Sequence, residues 1–287
     1  MDNEFCIDFH VHTFPDKIAA AALEKLQAKS HTRPFTDGTL SALEKSMKDS
    51  GVGFSVLQPV ATRPEQVPGI NNAAIKINSL SKNIISFGAM HPAFEDCEPE
   101  LERIFSAGIK GIKLHPVYQG LPVDDERYIK ILRFASELGL VILIHAGFDI
   151  GFPGNEYAMP EKISCAIDKI QCEFKIVLAH MGGWRAWDEA ERFFAGREGI
   201  FIDTAFSLGE FTLNGDGYYK TREACKLLSA EKFIELIKNF GASRVIFGTD
   251  SPWASQGESL EKFLSLPVLN SDEKNLILFK NANKLLN

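Results

Sequence analysis

The sequence has no run of basic residues and no excess of positive charge. Its 31 lysines and arginines are outnumbered by 38 aspartates and glutamates, which gives a formal net charge of −7. A protein that binds nucleic acid needs a basic patch or stripe to meet the phosphate backbone. The charge pattern therefore argues against a nucleic-acid partner.

Long apolar runs and paired cysteines are also missing. No stretch approaches the roughly 20 apolar residues of a membrane span, and Met1–Glu4 leads straight into an apolar run without a signal-peptide pattern. The cysteines are odd in number and form no CxxC pair, which favours reduced, mostly buried thiols. They are Cys6, Cys97, Cys165, Cys172 and Cys225. We expect a soluble cytoplasmic protein that is not bound to a membrane.

Short runs rich in Val, Ile and Phe recur along the 287 residues, with amphipathic segments of helical length between them. Eight runs have the length of buried strands: Glu4–His12, Val52–Pro59, Ile84–His91, Gly108–His115, Leu140–His145, Phe174–His180, Gly199–Thr204 and Ser243–Asp250. This alternation predicts an α/β fold with a parallel sheet, and eight units close most naturally into a single (β/α)8 TIM-barrel domain over residues 1–287. An open doubly wound sheet is the alternative. It would place a glycine-rich loop after the first strand, where the sequence reads HVHTFPD.

The connecting segments carry helix signals and one long loop. Asp124–Leu138 and Ala230–Phe240 are amphipathic and stop before a glycine, and Asp37–Ser50 begins at a candidate N-cap. Ala205–Ser229 follows the seventh strand, on the face where barrel enzymes build their sites, and is either a lid or substrate wall or an insertion without function. Leu260–Leu286 is expected to form one or two helices outside the barrel.

Six of the seven histidines lie at or just beyond the end of a predicted strand. They are His10, His12, His91, His115, His145 and His180; His31 is the exception. Parallel barrel strands all end on one face, so we expect these side chains to converge near one mouth.

The first strand closes on His10-Val11-His12. Alternation places both histidines on one face, and it predicts that Asp8 and Cys6 continue this inward row. Two imidazoles at this spacing can hold one ion, although two histidines bonded to loop carbonyls would give the same short motif.

The ends of later strands favour the metal interpretation. His145 ends VILIHAG, His180 ends IVLAHMGG and Asp250 ends VIFGTDSP. A buried strand end ordinarily prefers apolar residues, and an unpaired buried carboxylate is costly. A cation at the mouth would compensate Asp250 and use the histidines together.

Five motifs, DFHVHT, GIKLHP, LIHAG, LAHMGG and FGTDSPW, resemble in order and spacing the amidohydrolase superfamily, and in particular its amidohydrolase-2 (amidohydrolase-related) family of metal-dependent TIM-barrel hydrolases and decarboxylases. The resemblance extends from Asp8 to Trp253. It implies that His10, His12, His145 and Asp250 bind one divalent metal, usually Zn²⁺. The resemblance leaves open whether Mn²⁺ or Fe²⁺ binds in place of Zn²⁺ and whether a second metal binds.

The resemblance also implies a catalytic role for His180 beside Asp250. A divalent metal lowers the pKa of bound water to about 7; Asp250 would accept the proton and His180 would orient the water or polarise a carbonyl. The leading expectation is a hydrolase acting on a small amide, ester or lactone. The alternatives are a non-oxidative decarboxylase of an unsaturated or aromatic acid, and a barrel that binds metal or ligand without turnover. The partner would be a small molecule; a monomer and a homodimer both fit.

The fourth strand leaves more than one role open. Lys113 and His115 share an inward face in GIKLHP and are candidate substrate-binding residues. Lys113 could bind a substrate carboxylate, pair with Asp8 or another barrel carboxylate, or be carbamylated and bridge two metals, as the resemblance suggests. His115 could contact substrate or stabilise the turn before Pro116. Asp149, just after His145, could contact substrate or cap a turn.

Overall fold

The computed structural model describes residues 6–287, in which parallel strands alternate with helices. The strands are β1 (Ile7–Val11), β2 (Phe54–Leu57), β3 (Ile84–Ser86), β4 (Gly88–Ala89), β5 (Gly111–Leu114), β6 (Val141–Ile144), β7 (Lys175–Leu178), β8 (Ile200–Asp203) and β9 (Val245–Ile246). The helices are α1 (Asp16–Ser30), α2 (Leu40–Ser50), α3 (Val67–Leu80), α4 (Cys97–Ser106), α5 (Pro116–Gln119), α6 (Glu126–Glu137), α7 (Pro160–Ile167), α8 (Trp187–Phe194), α9 (Ala230–Phe240), α10 (Gln256–Leu264), α11 (Ser271–Asn275) and α12 (Asn281–Leu286). Short 3₁₀ turns lie at Pro64–Gln66, Arg222–Cys225 and Ala242–Arg244, and a π-helical turn lies at Leu276–Lys280.

The strands form one closed barrel with eight strand positions, called staves, of which one is shared by β3 and β4. All pairings are parallel, in the orders β1-β2-β3 and β4-β5-β6-β7-β8-β9. Strands β3 and β4 are two halves of one stave, interrupted at Phe87, whose N–H donates to the Leu57 carbonyl at 3.0 Å. Phe9 N–H donates to the Phe247 carbonyl at 2.9 Å, which joins β1 to the last stave. The predicted TIM barrel is confirmed.

Each predicted strand run contains an observed strand, and the helices begin and end close to the predicted residues. Helix α9 has the predicted bounds, with the Ser229 side chain accepting from Lys232 N–H. Helix α2 is capped by Thr39 and not by Asp37, because the Thr39 side chain accepts from Ala42 N–H. The first predicted strand began at Glu4, and residues 4 and 5 lie outside the described residues. Across residues 6–287, every helix is too short or too polar to cross a lipid bilayer.

A β-bulge in β1 changes the predicted alternation. The register of β1 against β2 shifts between Asp8 and Val11, so that Phe9 and His10 both reach the barrel interior. Phe9 packs edge-on against Phe87. Asp8 instead accepts hydrogen bonds from Thr249 Oγ1 at 2.6 Å and from Gln256 Nε2 of the outer helix α10 at 2.8 Å. The prediction that Asp8 and Cys6 continue the inward row below His10 is wrong for this reason; Cys6 packs in the outer core.

The C-terminal segment seals the barrel at the end opposite the histidines. Ala282, Leu285 and Leu286 of α12 belong to the same apolar cluster as residues from five strands: Ile7, Phe9, Val56, Val141, Val177 and Ile246. Asn281 fixes the helix through hydrogen bonds from Nδ2 to the carbonyls of Ala242 and Val245, both 2.7 Å. The last helix is therefore part of the barrel's core as well as its outer layer.

Candidate metal centre

The first and last staves bring three metal-competent atoms together. His10 Nε2 lies 3.2 Å from His12 Nε2 and 3.6 Å from Asp250 Oδ1, and His12 Nε2 lies 3.1 Å from the same oxygen. Tetrahedral zinc with bonds of about 2.0–2.1 Å separates its ligand atoms by roughly 3.3 Å. These three atoms therefore have the spacing of ligands to one metal ion.

Backbone geometry at the last stave permits this approach. A Cβ on Gly248 would lie 2.9 Å from the Cβ of His10, so only glycine allows the two strands to meet there. Asp250 has a left-handed φ of 69°, and its N–H donates to the His10 carbonyl at 2.7 Å. Burial raises the pKa of Asp250, but the hydrogen bond with His12 and the nearby histidines outweigh it, so the pKa is lowered overall. Asp250 is accordingly an ionised carboxylate.

His145 and His180 form the adjoining part of the mouth. Nδ1 of His145 lies 3.1 Å from Nε2 of His180, and the His180 ring lies 5.3 Å from that of His10. Of the expected metal ligands, the structure thus brings His10, His12 and Asp250 into one group. It places His145 next to His180 rather than inside that group.

In both His145 and His180, the tautomer is determined by the ring nitrogen that does not face the other ring. Nδ1 of His180 lies 3.0 Å from the Ala205 carbonyl and Nε2 of His145 lies 3.1 Å from the Phe148 carbonyl. A carbonyl only accepts, so both nitrogens must carry the proton. The two facing nitrogens therefore both present lone pairs across 3.1 Å. Such a pair is stable with a cation or a shared proton between its members, and the donor set fits a divalent metal.

Burial keeps the imidazoles available as neutral ligands. Desolvation holds the pKa of His10 and of His145 well below the usual 6.5, and lowers that of His180. Neutral imidazole is the form that binds a metal.

Lys113 lies beside the centre and not against Asp8. Its Nζ is 3.3 Å from His10 Nε2, and the side chain is 1% exposed. Burial lowers the pKa of Lys113 to about 8. The alternative in which Lys113 pairs with Asp8 is wrong, because Asp8 is turned toward Thr249 and α10.

His115 and Asp149 form a second polar layer next to the His145 ring. His115 stacks on His145 with centroids 4.1 Å apart and on Tyr118 at 4.0 Å. Its Nδ1 accepts from Tyr118 N–H at 3.4 Å, so Nε2 carries the proton and faces Asp149 Oδ2 at 3.5 Å. Asp149 Oδ1 also accepts from Gly151 N–H at 2.8 Å, and so caps a turn as well.

His115, His145 and Asp149 are close enough to hold an ion, but their proton positions argue against one. The nitrogens of His115 and His145 that face Asp149 both carry protons, so no lone pair is directed at that position. Burial raises the pKa of Asp149 to about 7. This layer suits a proton-bearing or substrate-facing role better than a metal site.

The long segment 205–229, the candidate lid, follows the end of β8 and is held by hydrogen bonds on two sides. At one side Arg33 N–H donates to the Thr212 carbonyl at 2.9 Å, and His31 contacts Asp216 (Nδ1 to Oδ2, 2.7 Å). At the other side Arg185 donates to the carbonyls of residues 224 and 226 at 2.8 and 3.0 Å. His31, the histidine outside the strand ends, thus anchors the lid.

Side chains of this segment pack with residues from neighbouring loops in a cluster that is mostly aromatic. Its buried members are Trp184, Phe206, Phe211 and Cys225, and Phe148, Ile150, Tyr219 and Trp253 pack against them. The indole N–H of Trp184 is buried and has no hydrogen-bond partner among the described residues. The segment after β8 thus packs on an apolar cluster that contains one buried N–H donor without a partner among the described residues.

Sequence reasoning missed Asp203, the last residue of β8. Its Oδ2 lies 2.8 Å from His10 Nδ1, and its side chain is fully buried. The signal was present in GIFIDT, where an apolar run ends in aspartate as the run before Asp250 does. His91, by contrast, lies outside the centre, where its Nδ1 accepts from Ala93 N–H.

These features define a TIM-barrel protein with a histidine- and aspartate-rich candidate metal centre at the carboxyl ends of its strands. A family model described as amidohydrolase (Amidohydro_2) matches residues 7–287. The chain belongs to this family of enzymes, as the five motifs suggested.

Solved structures share the fold at low identity. An uncharacterized TIM-barrel protein from Bordetella bronchiseptica has a TM-score of 0.74 and 19% identity, with 98% of each chain covered. A putative 2-pyrone-4,6-dicarboxylic acid hydrolase from Pseudomonas putida has a TM-score of 0.64 and 17% identity, covering 98% of this chain and 97% of that one. A dihydroxybenzoic acid decarboxylase from Polaromonas sp. JS666, with bound manganese and an inhibitor, has a TM-score of 0.63 and 15% identity, covering 98% and 96%. A search of curated proteins found no match.

Proposed function

We propose that this protein is a metal-dependent hydrolase that cleaves a small carbonyl-containing substrate, an amide, ester or lactone. The observation that carries the proposal is the convergence of His10 Nε2, His12 Nε2 and Asp250 Oδ1 within 3.1–3.6 Å of one another. Ionised Asp250 beside two imidazoles suits a site that binds a cation and moves a proton.

The donor set favours zinc. His10, His12 and Asp250 supply two nitrogens and one oxygen at tetrahedral spacing, and His145 offers a further lone pair through Nδ1. Mn²⁺ and Fe²⁺ also accept mixed imidazole and carboxylate ligands. The facing pair of His145 and His180, with Lys113 Nζ beside His10, is the place where a second ion would be held.

The chain's own residues account for the proton transfers of hydrolysis. When bound, a divalent cation supplies Lewis acidity that lowers the pKa of water to about 7. Asp250 is in place to accept a proton from the attacking water and return it to the leaving group. His180, oriented by the Ala205 carbonyl, would direct Nε2 to the reacting carbonyl or water. Lys113 and His115 would contact the substrate, and the lid aromatics would exclude bulk water.

A decarboxylase is the second candidate, and Asp149 is the observation that favours it. Loss of CO₂ leaves a carbanion that an acid must protonate, and burial raises the pKa of Asp149 to about 7. A manganese-containing decarboxylase also shares the fold. In this case Lys113 would bind a carboxylate and Asp149 would donate the proton.

The experiment combines elemental analysis with an activity screen on protein reconstituted with zinc, manganese or iron. Lactones, esters, amides and carboxylated aromatics are assayed both for acid release and for CO₂. We expect about one tightly bound zinc per chain and hydrolysis of at least one class. Asp250→Asn should lose about 10²–10⁴-fold in kcat while retaining metal. Asp49→Asn, which removes an exposed carboxylate on α2, should keep the kcat of the wild type. Turnover with CO₂ release would select the decarboxylase, and absence of any metal after reconstitution would overturn both candidates.

A further inference from the structure

Asp203 connects two parts of the candidate metal centre from beneath. It is the last residue of β8 and its side chain is fully buried. Its Oδ2 is 2.8 Å from His10 Nδ1, and its Oδ1 accepts from the backbone N–H groups of His180 at 2.8 Å and Ala205 at 3.1 Å. Every polar neighbour of this carboxylate is thus a nitrogen that can donate to it.

This arrangement determines which nitrogen of His10 carries the proton. Burial raises the pKa of Asp203, but the charges of His180 and Lys113 and the two backbone N–H donors favour its ionised form, which only accepts hydrogen bonds. The proton of His10 must then lie on Nδ1. Nε2 is left with its lone pair, directed toward His12 and Asp250.

Asp203 also supports the unusual backbone of His180. His180 and Met181 both have left-handed φ angles, 61° and 57°, which non-glycine residues seldom adopt. The Asp203 side chain accepts from the first of these N–H groups, and its backbone carbonyl accepts from the second at 2.7 Å. These two bonds hold the turn that directs the His180 ring into the mouth.

We propose that Asp203 is a positioning residue that holds His10 in the tautomer whose Nε2 binds the metal, and holds the turn that presents His180. The inference rests on the proposed metal-dependent function. Carboxylates that orient a ligating imidazole in this way ordinarily change metal affinity about 10–100-fold when they are removed.

The test is Asp203→Asn, which keeps the size of the side chain and changes its hydrogen bonding. If the amide oxygen continues to accept from His180 and Ala205, the amide NH₂ faces His10 Nδ1. That nitrogen must then accept, which moves the ring proton to Nε2, where it blocks the metal. We expect zinc affinity, measured by competition with a chromophoric chelator, to fall about 10–100-fold.

Asp216→Asn is the matched control. Asp216 makes the same contact with a histidine, Oδ2 to His31 Nδ1 at 2.7 Å, but on the lid. Its zinc affinity should equal that of the wild type. Equal zinc affinity for wild type and Asp203→Asn would overturn the inference.

A measurement on metal-free wild-type protein keeps the inference testable if Asp203→Asn does not fold. Nitrogen-15 NMR distinguishes the two tautomers of a histidine ring, and His10→Gln assigns the His10 signals. The Nδ1–H tautomer is expected, and the Nε2–H tautomer would overturn the inference. If the wild type binds no metal, the proposed function fails, while the NMR result still tests the pairing of Asp203 with His10.

Discussion

The two ends of this barrel differ in the polarity of the side chains that line them. The end near the strand starts is apolar and closed by α12, with Leu285 and Leu286 packed under Ile7 and Val141. The end near the strand termini holds buried histidines, carboxylates and a lysine within a few ångströms of one another. His180 and Asp250, two non-glycine residues with left-handed φ angles, also lie at this second end.

The difference shows that residues that stabilise the fold and residues suited to chemistry lie at opposite ends of the barrel. Apolar packing at the closed end contributes folding free energy without chemical constraint. At the mouth, desolvated titratable groups and strained backbone cost free energy and persist because the surrounding barrel fixes them. Substitutions at the mouth should therefore affect metal binding first, and substitutions at the closed end should affect folding first.

The largest effect is expected for the double variant His10→Ala, His12→Ala. It removes two of the three converging ligand atoms, so metal content should fall from about one ion per chain to near zero. Added zinc should then no longer stabilise the protein, whereas the wild type should gain about 4 kcal/mol at a zinc concentration 1,000 times Kd. Elemental analysis and thermal unfolding with and without zinc measure both changes. A double variant that retains its metal would contradict the assignment.

The opposite result is expected from Leu285→Ala at the closed end. Truncating this buried side chain should lower the free energy of unfolding by about 2–5 kcal/mol, measured by urea denaturation. Metal content per folded chain should stay at the wild-type value. A loss of metal without a loss of stability would mean that the two ends are not separable in this way.

The buried histidines of the mouth should make the metal-free protein less stable as pH falls. The folded-state pKa of His10, His115 and His145 lies well below the usual 6.5, with burial as the largest cause. At these histidines the unfolded chain binds more protons below pH 6.5, so each of them lowers the free energy of unfolding as pH falls, by up to about 1.4 kcal/mol per pH unit. Asp8 and Asp149 act in the opposite direction over the same range, because burial raises the pKa of each carboxyl to about 7. Denaturation of metal-free protein at pH 5–7 measures the slope, and His145→Gln should reduce it; equal slopes would show that burial at this position does not control it.

The smallest effect is expected at the lid. In His31→Asn the left-handed φ of 59° is retained, because asparagine tolerates it, while the contact with Asp216 and the stack on Tyr218 are lost. Stability should change by no more than about 1 kcal/mol, but hydrogen exchange over residues 212–218 should quicken with metal content unchanged. Asp49→Asn, which breaks an exposed ion pair on α2, is the control and should leave exchange in the lid unaltered.

Much of the fold and part of the centre could be predicted from residue order. The eight apolar runs predicted the staves, because buried parallel strands are recognisable as short β-branched stretches. Their final residues predicted that the strand-end histidines and Asp250 would converge near one mouth, since parallel strands end on one face. The family resemblance added His145 to the ligands His10, His12 and Asp250, and the structure places it beside His180 instead. His115 and Lys113 were correctly expected to point inward.

Other features depended on contacts that strand alternation does not encode. The bulge between Asp8 and Val11 reverses the face of Asp8, because an extra residue in one strand breaks the period of two. The run GIFIDT ends in Asp203 as a sequence signal, but the role of Asp203 depended on its contact with His10, 193 positions earlier in the chain. The packing of α12 against the apolar end of the barrel could not be predicted either, because the sequence does not show to which end the chain returns.

The sequence by itself determined the barrel, the side on which its polar residues collect and the chemical class of those residues. These follow from periodicity and strand direction, which are local properties. Only the tertiary structure decided which nitrogen of His10, His145 and His180 bears the proton, since that depends on the Asp203 carboxylate and two backbone carbonyls brought near by the closed ring. Hydrogen-bond partners distant in sequence, and not the identity of the imidazoles, determine where the lone pairs point.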